Sequence, residues 1–413
     1  MKKSETKFLK KIINKYSKKN GKVSGYPLTS FPFEKEDIIN GTETLLKGRI
    51  TMSDITRKFE YEFAKFLKVK HALMVNSGSS ANLLAFFALV NPKNKNRIKL
   101  NDECILPAIC WSTSLWPIVQ SGLKPKFIDV NLKTFNLNLK DLEKNINNRT
   151  KVVLAVHVLG NSPEMKRLME IVNDKKLVLI EDTCESLGSI YNNKYLGTFG
   201  KYGTFSFFVS HQMSSGEGGM IVCNNTEDYK IIHALRAHGW DRGLFNKNNR
   251  NFNFINSGFN LRPLDLTAAI GLSQFKRLNI MNEIRAKNRN KIINSLLKSP
   301  SWSNQFSFLR PTKNLKPSWF GLPILINKKY IKRKKAFLKF LNKKGIETRP
   351  IISGNFLNQP SIKLYKLDQK NKKFYNAQEI ENRGFFIGLH TNKIDEKKLK
   401  FLSNNLLKIK SNH

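Results

Sequence analysis

The sequence predicts an α/β fold: a large, mostly parallel sheet covered on both faces by helices, followed by a smaller α+β domain. Short apolar runs alternate with helix-period segments from His71 to Ile180, and such alternation is the mark of parallel strands joined by crossover helices. The length of 413 residues allows a large core and a second domain. Beyond about Lys287 the pattern changes, and strands such as Gly321 to Ile326 alternate with basic helices. The expected organisation is a basic N-terminal arm over 1–22, a large domain over 23–286 and a small C-terminal domain over 287–413.

Residues 1–20 read as a basic amphipathic helix. Val23 to Pro32 read as extended, interrupted at Gly25, Pro27 and Pro32. Asp37 to Leu46 form a short helix ending at Gly48. Phe59, Phe63, Phe66 and Leu67 recur at helical spacing, with Ser53 and Asp54 as candidate caps. His71 to Val75 is a buried strand, and the small-residue turn Asn76-Ser-Gly-Ser-Ser-Ala81 leads into an apolar helix running to Val90. Further strands are read at Glu103–Pro107, Lys126–Val130, Lys151–Val156 and Leu177–Ile180. Helices fall at Trp111–Gln120 and between the last two strands. Gly197 to Gly200 is a turn. From Tyr202 the chain reads as a strand, a polar turn and a glycine hinge into the strand Met220–Cys223. A helix over Thr226–Ala237, an exposed loop over Phe245–Phe254 and a long helix from Leu264 onward complete the larger domain.

The formal charge of +41 invites a nucleic-acid reading. The lysines are, however, scattered among asparagines along the whole chain, so the charge reads as a compositional bias on solvated helices. A positive field still attracts anionic small molecules or an anionic membrane surface. Cys104, Cys110, Cys184 and Cys223 show no Cys-x-x-Cys spacing and read as buried reduced thiols. The basic N-terminus lacks the apolar core of a secretory signal, and the apolar run Leu83–Val90 is too short to span a bilayer. A cytoplasmic enzyme without a membrane span is the expectation.

The chemistry-bearing residues collect at strand ends. Asn76–Ala81 joins a strand to a helix N-terminus, whose free N–H groups and positive dipole end suit a phosphate; an ordinary βα turn has the same form. Asp182 follows the strand Leu177–Ile180, where the plain reading is a strand-end helix cap. Ser206 stands five residues before His211, and four residues separate His211 from Gly216-Glu-Gly-Gly219.

These segments resemble the cofactor-attachment motifs of the DegT/DnrJ/EryC1/StrS sugar aminotransferases, which use pyridoxal phosphate (PLP). The family pattern runs Ser-Phe-x-x-x-Lys, four residues, then Gly-Glu-Gly-Gly. Here His211 stands at the Schiff-base lysine, and no lysine lies between Lys201 and Lys230. The resemblance runs from about Val23 to Gly388-Leu-His390. It implies PLP-dependent fold type I, the aspartate-aminotransferase-like fold. It places Ser79, Ser80 and Ser206 on the cofactor phosphate and Trp111 on the pyridine ring; a core tryptophan is the alternative for Trp111. It places Asp182 on the pyridine nitrogen, and Glu185 where the family has glutamine. It gives Asn260 a reach across a homodimer interface to the neighbour's phosphate; a turn asparagine is the alternative. His157 and Gly160 match a motif near the cofactor, with His157 as a supporting residue. The segment Arg349-Pro-Ile-Ile-Ser-Gly-Asn355 is a candidate for binding the substrate or a donor carboxylate.

Histidine at this position resembles the 3-dehydratase branch of the family. That branch acts on nucleotide-linked 4-keto-6-deoxyhexoses with pyridoxamine phosphate (PMP), for deoxysugar and lipopolysaccharide O-antigen biosynthesis. His211 would be the acid/base, since imidazole exchanges protons near neutral pH. One type in the branch carries a [2Fe-2S] cluster, held mostly by cysteines after the glycine hinge. Arg236 to Arg262 contains no cysteine, so no metal is expected, although Cys184 lies in the segment that gives the cluster type its first ligand. The other type regenerates PMP from an amino donor, with glutamate expected here. The alternatives are a plain sugar aminotransferase that tolerates histidine and a catalytically dead PLP-fold scaffold subunit.

Overall fold

The structure is a computed structural model that describes residues 3–20, 25–29, 33–244, 252–369 and 371–410. Parts of two expected segments, the extended stretch 23–32 and the loop 245–254, lie outside the described residues.

Seven strands form the large sheet. They are β1 (His71–Val75), β2 (Glu103–Pro107), β3 (Lys124–Ile128), β4 (Thr150–Val156), β5 (Val178–Asp182), β8 (Tyr202–Ser206) and β9 (Gly219–Cys223), and the short pair β6 (Ile190–Tyr191) and β7 (Lys194–Tyr195) lies outside it. The order is β1-β9-β8-β5-β4-β2-β3. The pairings from β8 through β5, β4 and β2 to β3 are parallel, and β9 alone runs against its neighbours. The turn that reverses the chain into β9 is the stretch bearing His211. The carboxyl ends of β1, β4, β5 and β8 therefore share one edge of the sheet with the start of β9. The fold is α/β, mostly parallel, as the alternation of runs predicts.

The helices follow from apolar periodicity. They are α1 (Lys3–Asn20), α2 (Lys35–Leu46), α3 (Asp54–Leu67), α4 (Gly78–Leu89), α5 (Ser112–Gln120), α6 (Leu139–Asn145), α7 (Met165–Asp174), α8 (Thr226–Arg236), α9 (Asp265–Phe275) and α10 (Leu278–Leu297). Two differ from expectation. The segment from Leu264 is two helices, broken at Lys276 and Arg277, with the Arg277 guanidinium paired to the buried Asp37 at 2.9 Å. Helix α6 lacks the long apolar period that betrays a helix, and its start is fixed by Asn138 accepting from the Lys140 and Asp141 amides. Ser53 opens α3 without a side-chain cap; Asp265 of α9 accepts from the Ser53 and Thr56 amides at 2.8 and 3.0 Å instead. A distant carboxylate thus does a cap's task and locks α3 to α9.

α3 packs an aromatic cluster under the site. Phe63 meets Phe205 at 5.2 Å between ring centroids and Phe207 at 5.7 Å, and Phe59 meets Phe207 at 5.3 Å. Each such pair contributes roughly 0.5–1.5 kcal/mol beyond its buried area. The cluster anchors the root of the His211 turn, since Phe207 is fully buried.

The remaining chain forms β10 (Phe306–Phe308), β11 (Leu315–Lys316), β12 (Gly321–Ile326), β13 (Thr348–Arg349) and β14 (Gly384–Gly388), with α11 (Lys334–Lys343), α12 (Pro360–Leu364), α13 (Tyr375–Arg383) and α14 (Glu396–Leu406). β10-β12-β14-β13 is an antiparallel sheet, and β11 joins β6 and β7. Lys287 itself lies inside α10.

Candidate active site

Two glycines let the N-terminus of α4 reach the end of β8. A Cβ on Gly78 would stand 2.6 Å from Ser206 Cβ, and one on Gly219 would stand 2.4 Å from the Ser77 carbonyl. Only glycine permits backbones so close. Ser77 caps the helix, accepting from the Ser80 amide at 3.1 Å. The Ser80 hydroxyl is buried and donates to Asn76 Oδ1 at 2.6 Å, so it braces the loop. Ser79 is exposed at the helix mouth. Ser206 is 8% exposed and its Oγ accepts a long bond from the Phe208 amide at 3.4 Å. Free N–H groups at a helix start, an outward hydroxyl and a lightly engaged one make an anion cradle.

Asp182 ends β5 and is buried. Its Oδ2 accepts from Asn82 Nδ2 at 2.9 Å and Ser114 Oγ at 2.8 Å. Its Oδ1 accepts a long bond from the Cys184 amide, at 3.3 Å, and so retains capacity for a cationic ring N–H. Asn82 is held in turn by the Thr204 hydroxyl at 2.6 Å. Asn82 and Ser114 were not singled out in the sequence. The signal for Asn82 was available, because a lone asparagine in the otherwise apolar run 81–90 must find a buried partner.

Glu181, beside Asp182, faces the other side of the sheet. It accepts from the Gly197, Phe199 and Gly200 amides and meets His157 Nε2 at 3.0 Å. The His157 amide donates to the Asp182 carbonyl at 3.0 Å. His157 is therefore a buried support of the strand that carries Asp182. Gly160 admits the neighbouring chain, since a Cβ there would stand 2.3 Å from the Ser318 carbonyl. Glu185 is half-buried and accepts from the Leu159 amide at 2.9 Å. Burial, with help from the Asp182 charge, raises its carboxyl to about 7.

Trp111 is 57% exposed at the N-cap of α5, one turn before Ser114. An indole left open beside a buried carboxylate is available for stacking rather than for the core. The Arg349–Asn355 segment passes next to it: the Ser353 hydroxyl donates to the Cys110 carbonyl at 2.6 Å, and Asn355 bridges Ile109. Arg349 itself is paired with Glu347 at 2.8 Å.

His211 sits in the turn after β8, its amide donating to the Phe208 carbonyl at 3.0 Å. Edges of Phe208 and Phe320 meet the ring at 6.1 and 5.2 Å between centroids. Burial lowers its pKa to about 4; the Cys184 and Ser206 carbonyls and the Asp182 charge oppose this, and the Arg285 charge adds to it. Nδ1 is buried and has no hydrogen-bond partner among the described residues. Lys201, the nearest preceding lysine in sequence, opens the other end of the β8 strand and is paired with Asp228 at 2.5 Å. Asn260 is exposed and bridges Ala237, and its Oδ1 accepts from Arg262 Nε at 3.1 Å. Among the described residues none of its hydrogen bonds goes to the cradle, to Asp182 or to His211.

The arrangement comprises an anion cradle, a buried carboxylate with one open oxygen, an exposed indole and a neutral imidazole. Residues 33–400 match the model of the DegT/DnrJ/EryC1/StrS aminotransferase family. The chain belongs to this family. Two relatives are named GDP-4-keto-6-deoxy-D-mannose 3-dehydratase. The one from Escherichia coli O55:H7 is 36% identical over 88% of this chain and 95% of its own length. The one from Yersinia pseudotuberculosis is 34% identical over 93% of this chain and 98% of its own. A solved structure of GDP-4-keto-6-deoxymannose-3-dehydratase with a trapped PLP-glutamate geminal diamine superposes with a TM-score of 0.85 at 34% identity, covering 92% of this chain and 100% of that one. For a DegT/DnrJ/EryC1/StrS protein, fold type I follows directly. Among the described residues no helix is long and apolar enough to cross a membrane, and no group of three or more His, Cys, Asp or Glu gathers as a metal site.

Proposed function

We propose that this chain is a PLP/PMP-dependent 3-dehydratase of a nucleotide-linked 4-keto-6-deoxyhexose, with GDP as the nucleotide and glutamate as the amino donor. The observation that carries this reading is His211 in the lysine register, held as a neutral imidazole beside the Asp182 strand. The relatives of like length supply the substrate class and the nucleotide, and the PLP–glutamate adduct in the solved relative supports glutamate as donor.

The free N–H groups at the start of α4, with the Ser79 and Ser206 hydroxyls, hold the cofactor phosphate, while Ser80 keeps the loop in shape through Asn76. Asp182 Oδ1 holds a proton on the pyridine nitrogen, and Asn82 and Ser114 orient the carboxylate. Trp111 covers one face of the ring. Glu185, raised to about 7, is protonated often enough at neutral pH to donate a hydrogen bond where the family uses glutamine. When bound, PMP supplies the amine that meets the sugar's C4 ketone and a conjugated ring that takes up electrons. His211 stays neutral above about pH 4. Its imidazole takes up the reacting proton and delivers it to the departing C3 hydroxyl oxygen. Histidine has no amine with which to tether PLP, so the donor can load the cofactor as PMP.

The protein acts as a homodimer in which the exposed Asn260 reaches the neighbouring subunit's phosphate. A plain aminotransferase or a scaffold subunit is less well supported, since both leave the histidine register without a purpose. The deciding experiment incubates purified protein with PLP, glutamate and GDP- and CDP-linked 4-keto-6-deoxyhexoses and weighs the products. A 3,6-dideoxy-4-keto sugar with ammonia released supports the proposal. An aminated sugar, or no turnover with no cofactor absorbance, rejects it.

A further inference from the structure

Helix α10 carries polar residues on its inward stripe. Leu278, Met281, Arg285, Asn288, Ile292 and Leu296 are all buried, and Arg285 is 6% exposed. Its guanidinium donates from Nη2 to the His211 carbonyl at 3.1 Å, from Nη1 to the Gln212 carbonyl at 2.8 Å and from Nε to the Leu389 carbonyl at 3.2 Å. No carboxylate pairs with it among the described residues. Burying a guanidinium against carbonyls alone is costly, and its planar fork suits two adjacent carbonyls as an ammonium does not. The Gln212 side chain fixes the same turn from the opposite side, with Nε2 donating to the Glu185 carbonyl and, at 3.1 Å, to the Ser318 carbonyl.

We propose that Arg285 is the positioning residue of His211: it fixes the main chain at 211–212, and thereby where the imidazole stands relative to Asp182, and it places a permanent positive charge behind the ring. This rests on the reading of His211 as the acid/base. The charged and titratable groups about the ring are Asp182 on β5 and Arg285 on α10, and His390, which also feels the Arg285 charge, lines the same cavity. Burial and Arg285 both favour the neutral ring, whereas Asp182 favours the charged one. Arg285 therefore limits the pull of Asp182, keeping the base free to accept a proton and the acid ready to release it.

The test uses full-length Arg285→Gln and Arg285→Lys. In cofactor-free protein, NMR titration of histidine-labelled samples follows His211, assigned by its loss in His211→Asn. Arg285→Gln is expected to raise the His211 midpoint and to lower kcat about 10- to 100-fold, with KM for the sugar little changed. Arg285→Lys, which keeps the charge and loses the fork, is expected to leave the midpoint near wild type and lose most of kcat. PMP affinity stays within about twofold in both, because Arg285 does not touch the cradle. A folded Arg285→Gln with the wild-type midpoint and wild-type kcat overturns the proposal. If Arg285→Gln does not fold, Arg285→Lys at full kcat overturns it. Full dehydration by His211→Asn would instead sink the acid/base reading, and the cofactor-free titration would still report whether Arg285 and His211 are coupled.

Discussion

Glu185→Gln should make the cofactor-free protein more stable at neutral pH, by an amount that grows with pH. In the folded protein, burial raises the Glu185 carboxyl from 4.5 to about 7. The folded state therefore binds this proton more tightly than the unfolded chain between those values. The stability it brings is fully present below pH 4.5 and is lost as pH rises towards 7. A shift of this size corresponds to about 3 kcal/mol at 1.36 kcal/mol per unit, and partial exposure reduces it to about 2. His211 acts in the opposite sense. Its pKa falls from 6.5 to about 4, so the unfolded chain binds more protons in that window and stability is lost as pH falls through it. The two slopes largely offset in the wild type. Glutamine keeps an oxygen for the Leu159 amide and removes one of the opposing slopes. Urea unfolding of both proteins from pH 4.5 to 8 is the assay. The expected difference is near zero at pH 4.5 and about 2 kcal/mol in favour of Glu185→Gln above pH 7. A difference that does not change with pH would refute the burial argument for Glu185.

Other outcomes follow from the same geometry. Ser206→Ala should weaken PMP binding about tenfold by titration, as loss of one charge-assisted hydrogen bond implies; unchanged affinity removes Ser206 from the cradle. Asn82→Ala deletes bonds to Asp182, Thr204 and the Thr113 carbonyl and should cost about 3–5 kcal/mol of stability, read by denaturant unfolding. Light scattering at micromolar concentration should report a dimer; a fully active monomer would end the role given to Asn260. Anaerobic purification should yield protein without stoichiometric iron, and iron found by analysis would point to the cluster-bearing type instead.

Much of the sheet was legible because each strand is a short apolar run between turn residues; β1, β2 and β12 have the bounds expected of them. What could not be read is contact at a distance. The cap of α3 comes from Asp265, and nothing local to Ser53 announces it. The long helix after Leu264 breaks where Arg277 turns to Asp37, a partner far away in sequence. At the site, the spacing of Ser206, His211 and Gly216 was visible, but the hydroxyl of Ser80 proved to face Asn76. Arg285 was hidden by composition, since one arginine in a lysine- and arginine-rich helix carries no flag. The legible clue was its place on the stripe Leu278, Met281, Ile292, Leu296, where a charge requires a reason.

The account turns on what His211 does, and one comparison tests it most directly. Wild type, His211→Asn and His211→Lys are each loaded with PLP and glutamate, given the 4-keto-6-deoxyhexose nucleotide, and treated in parallel with borohydride. The account predicts dehydrated sugar from wild type only and PMP still bound by His211→Asn. It also predicts borohydride-trapped covalent cofactor only in His211→Lys, with that variant's product shifted towards the aminated sugar. Covalent trapping in the wild type, or undiminished dehydration by His211→Asn, would contradict it.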